Sequence, residues 1–232
     1  MLLSKSLNAA LTRVRPLPVA ESGVALGTLV GWYMRKGLGT GLRGFIQHWR
    51  FKGSPWPFFL GGGAKISYAA QMSLGKNCLI GANSVILAFS KSGVNFGDCV
   101  TLRENAWIQC SSSPSNPGEG LVIGSNTYIG PGATIGVGGK ITIGSGCLLG
   151  ANVTLIAEDH ATGSDGRPSR TEVTRAGIII GDGTWLGHGV TVLDGVTLGE
   201  GCVVGAGAVV THSFSAFSRI AGVPARSVNV RS

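Results

Sequence analysis

The stretch IGDGTWLGHGVTVLDGVTLGEGCVVGAGAVVT, residues 180–211, divides into sixes. Each six opens on an aliphatic residue: Ile180, Leu186, Val192, Leu198, Val204 and Val210. Glycine follows in most of them, and the fifth place holds Thr184, Val190, Val196, Cys202 or Ala208, all small or β-branched. The same register appears upstream in LGKNCL (74–79), IGANSV (80–85), IGSNTY (123–128), IGPGAT (129–134), IGSGCL (143–148) and LGANVT (149–154). FGDCVT (96–101) and LRENAW (102–107) are looser members. A six-residue period fits neither a 3.6-residue helix nor an ordinary hairpin sheet. It suits a short strand with its aliphatic residue inward, followed by a corner where glycine permits an unusual backbone and a small residue fills the crowded interior.

Three hexads close one triangular coil, and stacked coils bury a continuous aliphatic ladder in which each coil supports its neighbours. One coil buries three aliphatic side chains at about 1.5–3 kcal/mol each, so several must stack. The pattern predicts about six coils, 74–91, 96–113, 123–140, 143–160, 180–197 and 198–215, interrupted by excursions at Cys110–Gly120 and Ala161–Ile179. Composition agrees with short strands and repeated turns. There are 39 glycines without the strict period of collagen, and 44% hydrophobic with 13% charged residues excludes a disordered chain. The cysteines Cys78, Cys99, Cys110, Cys147 and Cys202 show no paired or CxxC spacing. Three of them fall in the small-residue slot of the repeat, so packing is their expected role and a reducing compartment their expected setting.

The tryptophan hexad IGDGTW, the hexad VGAGAV and the terminal AGVPAR (221–226) carry a resemblance to the hexapeptide-repeat acyltransferases, closest to the sugar and polysaccharide O-acetyltransferases of the maltose, thiogalactoside and capsule or colanic-acid types. The resemblance covers residues 66–228. It implies an all-β fold, a left-handed parallel β-helix, and a homotrimer with each active site in the groove between neighbouring subunits. It also implies acetyl-CoA as co-substrate, a saccharide acceptor and no metal.

Acyl transfer from a thioester to a hydroxyl needs a base, donors for the developing oxyanion and a groove for the long CoA arm. Histidine suits the first task. His48 lies outside the repeats, His212 occupies a third hexad place near the end, and His188 occupies a third place in LGHG. His160 stands at the mouth of the longer excursion, and in the family this is the place of the catalytic histidine before the tryptophan hexad. His160 is therefore the candidate general base, with Glu158 or Asp159 as alternative partners for its ring. By resemblance, the backbone amide of His188 stabilises the oxyanion, and Trp185 and Gly187 border the thioester. Ala206, Thr211 and Arg226 would hold the remainder of acyl-CoA, Arg226 near its phosphates. Trp185 reads equally as an aromatic of the trimer interface. Tyr128 matches an acceptor-binding tyrosine of the thiogalactoside type, but Gly130 replaces the asparagine that follows it there. Arg167, Arg170 and Arg175 in the longer excursion suit a larger or anionic saccharide, or simply a solvated loop.

The net charge of +8 is concentrated at the start: residues 1–60 hold eight Lys/Arg against Glu21 alone. Residues 24–59 interleave these with Trp32, Tyr33, Phe45, Trp49, Phe51, Trp56, Phe58 and Phe59, a pattern of peripheral membrane contact or of a cap on the solenoid. The expected division is a basic, aromatic, partly helical segment at 1–65 and the β-helix at 66–228. Val24–Met34 is too short to span a bilayer, no cleavage site follows it, and no nucleic-acid-binding module accompanies the charge. The expected location is the cytoplasm or the inner face of its membrane. Two rival functions remain at this level: a zinc hydratase resembling the γ-class carbonic anhydrases, which needs three converging histidines, and a non-catalytic trimeric scaffold.

Overall fold

A computed structural model describes residues 37–53, 55–110, 113–162 and 167–228, together with 27, 28 and 31. The chain winds as a left-handed parallel β-helix with three sheet faces. The first face stacks Phe58–Leu60, Cys78–Ile80, Thr101–Leu102, Tyr128–Ile129, Leu148–Leu149, Trp185–Leu186 and Val203–Val204. The second stacks Lys65–Ser67, Val85–Leu87, Trp107–Gln109, Thr134–Gly136, Thr154–Ile156, Thr191–Val192 and Val209–Val210. The third runs from Met72–Leu74 through Val94–Phe96, Leu121–Ile123, Ile141–Ile143 and Ile178–Ile180 to Thr197–Leu198. All six expected coils are present. The stack begins earlier than expected, at Phe58, because Leu60, Gly61 and Ala64 already follow the hexad pattern while a turn at Ala69–Gln71 shifts the register before Leu74.

The first place of each hexad points inward: Ile80, Ile86, Leu102, Ile129, Leu155, Leu186 and Val210 are all buried. The two glycine-associated places divide their tasks differently from the sequence reading. Left-handed backbone belongs to the fourth place, held by asparagine or glycine at most corners, as at Asn83 (φ 57°) and Gly207 (φ 71°), and by Cys99 (φ 58°) at one. Where glycine holds the second place, it does so for proximity between coils. A Cβ on Gly130 would lie 2.6 Å from the carbonyl carbon of Gly150, so an asparagine at position 130 has no room in this stack.

The fifth place does more than fit. Thr127 Oγ1 donates to Gly144 O at 2.7 Å, Ser84 Oγ to Arg103 O at 3.2 Å and Thr184 Oγ1 to Gly199 O at 3.2 Å. The thiols of Cys78, Cys147 and Cys202 donate in the same way to Gly97 O, Gly181 O and Ser215 O. Every one of these acceptors is the second-place carbonyl of the next coil, so at these six corners a buried hydroxyl or thiol ties successive coils together and is itself satisfied. The five cysteines are free thiols.

A helix, α1 (Gly39–Gln47), and a 3₁₀ turn at His48–Arg50 lie across the first strand. At the other end Arg219–Gly222 joins the first face and Ala225–Ser227 folds back against it antiparallel. The shorter excursion leaves after Trp107–Gln109. The longer one is an antiparallel hairpin, Asp159–Thr162 against Pro168–Thr174. The ladder resumes at Ile178, since Ile178 and Ile180 are buried either side of exposed Ile179. Ile180→Ala is expected to cost about 2–5 kcal/mol and Ile179→Ala less than about 0.5, measured as shifts in the urea midpoint of the purified protein. Equal shifts would mean that the inward face has been assigned wrongly.

Candidate active site at the break in the ladder

His160 lies on the first strand of the hairpin, paired with Val173, and its ring Nδ1 stands 2.9 Å from the carbonyl oxygen of Ser169. A carbonyl can only accept, so Nδ1 carries the hydrogen of the bond. In the neutral ring Nε2 then keeps its lone pair. Neither acid considered from the sequence holds the ring. Asp159 Oδ1 accepts from the His160 backbone amide at 2.9 Å, and Glu158 Oε2 pairs with Arg175 at 2.5 Å and 2.7 Å. The orienting partner is a main-chain carbonyl, which no side-chain pattern announces.

Arg175 joins the two excursions. Its Nη1 donates to Asn116 Oδ1 at 2.8 Å and to Pro117 O at 3.2 Å, while its Nε and Nη2 hold Glu158. With Glu158 as counter-ion and both excursions as anchor, this guanidinium shapes a rim and is already neutralised. The rim encloses a cavity of about 300 Å³. Outward residues of the second face, Trp107, Gln109, Gly136 and Ile156, form its floor, and Glu158, His160 and Arg175 stand at its side. Trp107 and Gln109 were not singled out from the sequence. The signal was present, since residues flanking an inward aliphatic must face outward, and Trp107 pairs in register with Thr134, itself paired with Thr154 just before the hairpin. What the sequence lacks is where the hairpin folds back.

Cys110 also lines this cavity, a neighbour of His160 that sequence spacing did not indicate. Burial pushes its thiol up to about 12, so it stays protonated and is no nucleophile at neutral pH.

The remaining candidates divide between two sides of the prism. Gly187, His188 and Ala206 occupy the corner that leads into the second face, and the hairpin and Thr211 occupy the corner that leaves it. Gly187 is buried against Ala206, with 2.6 Å between a Cβ placed there and the Ala206 amide nitrogen. His188 and Ala206 are exposed, and no acceptor among the described residues takes the His188 backbone N–H. Trp185 and Tyr128 lie on the first face, outward, in one register line through Leu148. A single chain therefore does not bring Trp185 to His160. Tyr128 Oη accepts from Arg103 Nη1 at 3.0 Å, and Arg103 is in turn held by Glu104 at 2.7 Å. Thr211 and Arg226 are exposed, the latter with Nη1 on Ala225 O at 2.8 Å. Side chains of Pro168, Arg170 and Thr171 lie outside the described residues, as do residues 163–166. Among the described residues no three His, Cys, Asp or Glu are grouped to hold a metal ion.

With this geometry in hand, comparison with known proteins is informative. The family described as "Hexapeptide repeat of succinyl-transferase" matches residues 71–109 and 120–157, and "Bacterial transferase hexapeptide (six repeats)" matches 177–212. Both models match the repeating coils of the β-helix. The matched segments take in the cavity floor at Trp107, Gln109, Gly136 and Ile156 and leave out Cys110, Glu158, His160 and Arg175. Among solved structures, it resembles the hexapeptide-repeat acetyltransferase VCA0836 from Vibrio cholerae at 30% identity, with 47% of this chain and 61% of that one covered and a TM-score of 0.44. The chain thus spans 61% of that relative's length in this alignment. The acetyl-CoA complex of VCA0836 aligns at 19% identity over 90% of each chain, TM-score 0.51. AntD, an N-acyltransferase from Bacillus cereus solved with dTDP and coenzyme A, aligns at 16% over 81% of this chain and 88% of that one, TM-score 0.54. The last two likenesses show the fold. No curated protein matches the chain.

For the cavity, thiol chemistry offers a direct check. Iodoacetamide at pH 8 is expected to modify half-buried Cys99 at least about a hundredfold faster than Cys110, read by peptide mass spectrometry. Comparable rates would show that Cys110 is neither buried nor held protonated.

Proposed function

We propose that this hexapeptide-repeat protein is an acyl-CoA-dependent O-acyltransferase that moves acetyl from acetyl-CoA to a hydroxyl of a sugar or polysaccharide precursor, with His160 as general base. The observation that carries the reading is the His160–Ser169 contact beside a cavity, which in the neutral ring leaves Nε2 as the acceptor nitrogen. In the proposed step the acceptor hydroxyl gives its proton to Nε2 while its oxygen bonds to the thioester carbonyl carbon. The carbon–sulfur bond then breaks, and His160 returns the proton to the CoA sulfur. The two sides balance, and no covalent enzyme intermediate is needed.

Support for the donor comes from two sources. VCA0836 was solved with acetyl-CoA and AntD with coenzyme A, both on this fold. The residues present also suit a long thin ligand: Gly187 and Ala206 keep one corner almost bare, Thr211 supplies a hydroxyl and Arg226 a charge. The unsatisfied His188 amide is available to a developing oxyanion. Because Trp185 lies on another face from His160, the reading includes a homotrimer in which a neighbouring copy brings its Trp185 face to the groove. For the acceptor, half-exposed Trp107 offers a flat apolar surface to a sugar ring, and Gln109 a polar group beside it. Arg175 is committed to Glu158, which favours a neutral acceptor region over an anionic one.

His160→Ala is expected to lower kcat by about 10²–10⁴ with the acetyl-CoA KM nearly unchanged, measured by thiol release against a panel of free and lipid-linked saccharides with product masses recorded. Transfer at wild-type rate would sink the role of His160. Trp107→Ala is expected to raise the acceptor KM about tenfold and leave that of acetyl-CoA alone. An unaltered acceptor KM would place the sugar elsewhere.

A further inference from the structure

Helix α1 is amphipathic in the reverse sense to an ordinary surface helix. Its close-packing side is glycine: Gly44 is buried with no room for a Cβ against the Phe58 carbonyl, and Gly41 faces the Phe59 ring. Its polar side also points at the β-helix. Arg43 Nε donates to Leu60 O at 3.0 Å and, beyond the helix end, Arg50 Nη2 donates to Ile66 O at 3.0 Å, both on the first coil. Leu38, Leu42, Phe45, Ile46 and Trp49 recur every three to four residues on the side turned away, and each is more than half exposed. Trp56 stands at the edge of this stripe, its ring packed edge-on against Phe45 at 5.3 Å. Exposing so many large apolar side chains together marks a surface that meets something.

Charge identifies what. Residues 22–97 contain Arg35, Lys36, Arg43, Arg50, Lys52, Lys65, Lys76 and Lys91 and not one Asp or Glu. Of these, Arg43, Arg50, Lys52 and Lys65 lie among the described residues of the first coil and its cap, which carry no acid beside the apolar, tryptophan-bearing stripe. Apolar side chains for the acyl boundary, tryptophans for the interface and lysines and arginines for anionic headgroups are what an interfacial helix needs. No helix of the described residues is long and apolar enough to cross a membrane.

We infer that the α1 end of the protein docks peripherally on an anionic lipid bilayer, with Leu38, Leu42, Phe45, Ile46, Trp49 and Trp56 entering the interface and the β-helix axis leading away from it. This surface is separate from the cavity at His160, so the inference stands independently of the proposed reaction.

The test uses the full chain and lipid vesicles in a sedimentation assay. Binding is expected to vesicles containing about 30% phosphatidylglycerol, and at least about tenfold weaker binding to pure phosphatidylcholine or at about 0.5 M salt. The triple substitution Leu42→Ser, Ile46→Ser, Trp49→Ser should weaken binding about a hundredfold while circular dichroism and the thermal midpoint stay unchanged. Lys52→Glu, at an exposed position, should weaken anionic binding severalfold with the apolar stripe intact. Three results would overturn the inference. One is no binding of the wild type to anionic vesicles. Another is equal binding by the triple variant. The last is a change in the oligomeric mass of the triple variant without lipid, which assigns the stripe to a second copy.

Discussion

The distance between successive coils at their corners is the constraint on which everything else rests. At the second place of a hexad the backbones approach so closely that a Cβ on Gly130, Gly150 or Gly187 would overlap the next coil. At the fifth place only a small or β-branched residue fits inside, and where it carries a hydroxyl or thiol it can bond the neighbouring carbonyl, as Thr127 does to Gly144. These two requirements set the rise of the stack, and the stack sets the register in which inward aliphatics meet. Since each coil buries only a few aliphatic groups, stability accumulates along the stack and no single coil is sufficient.

A rigid, repetitive frame has no pocket of its own. The candidate site exists because the frame is interrupted twice on one side, on coils separated by a single uninterrupted one, and because Arg175 locks the two interruptions together through Glu158, Asn116 and Pro117. The second face supplies a floor whose positions are fixed by pairing, so Trp107, Gly136 and Ile156 cannot drift relative to the hairpin. This division of labour, regular strands for precision and loops for chemistry, is how a scaffold with little side-chain variety holds a reactive group. It also explains the separation of His160 and Trp185: they leave the prism from different faces, so their meeting requires a second chain.

The ends of the stack obey different rules. A sheet edge left open would pair with another molecule. The C-terminal end is finished by a strand that turns back antiparallel, and the N-terminal end by a helix that donates arginine hydrogen bonds to the first coil. The arginines and glycines of α1 are used up on the inner side, which leaves its apolar residues outside.

From the sequence alone, the fold class, the inward aliphatics, the six main coils and the two interruptions were legible, because a six-residue period constrains every residue at once. His160 stood out for the same reason, as a titratable residue where the period fails. The first coil strands, Phe58–Leu60 and Lys65–Ser67, were obscured by the register shift around Ala69–Gln71, and the separate tasks of the second and fourth places were merged into one role for glycine. Only the tertiary structure decided that a Ser169 carbonyl and not Glu158 or Asp159 holds the His160 ring, that Arg175 is already neutralised, and that Trp107 faces the same cavity. The physical reason is that periodicity reports which side of a strand a residue occupies. Hydrogen bonds to main-chain atoms and contacts between excursions depend on how irregular chain folds back, and no repeat encodes that.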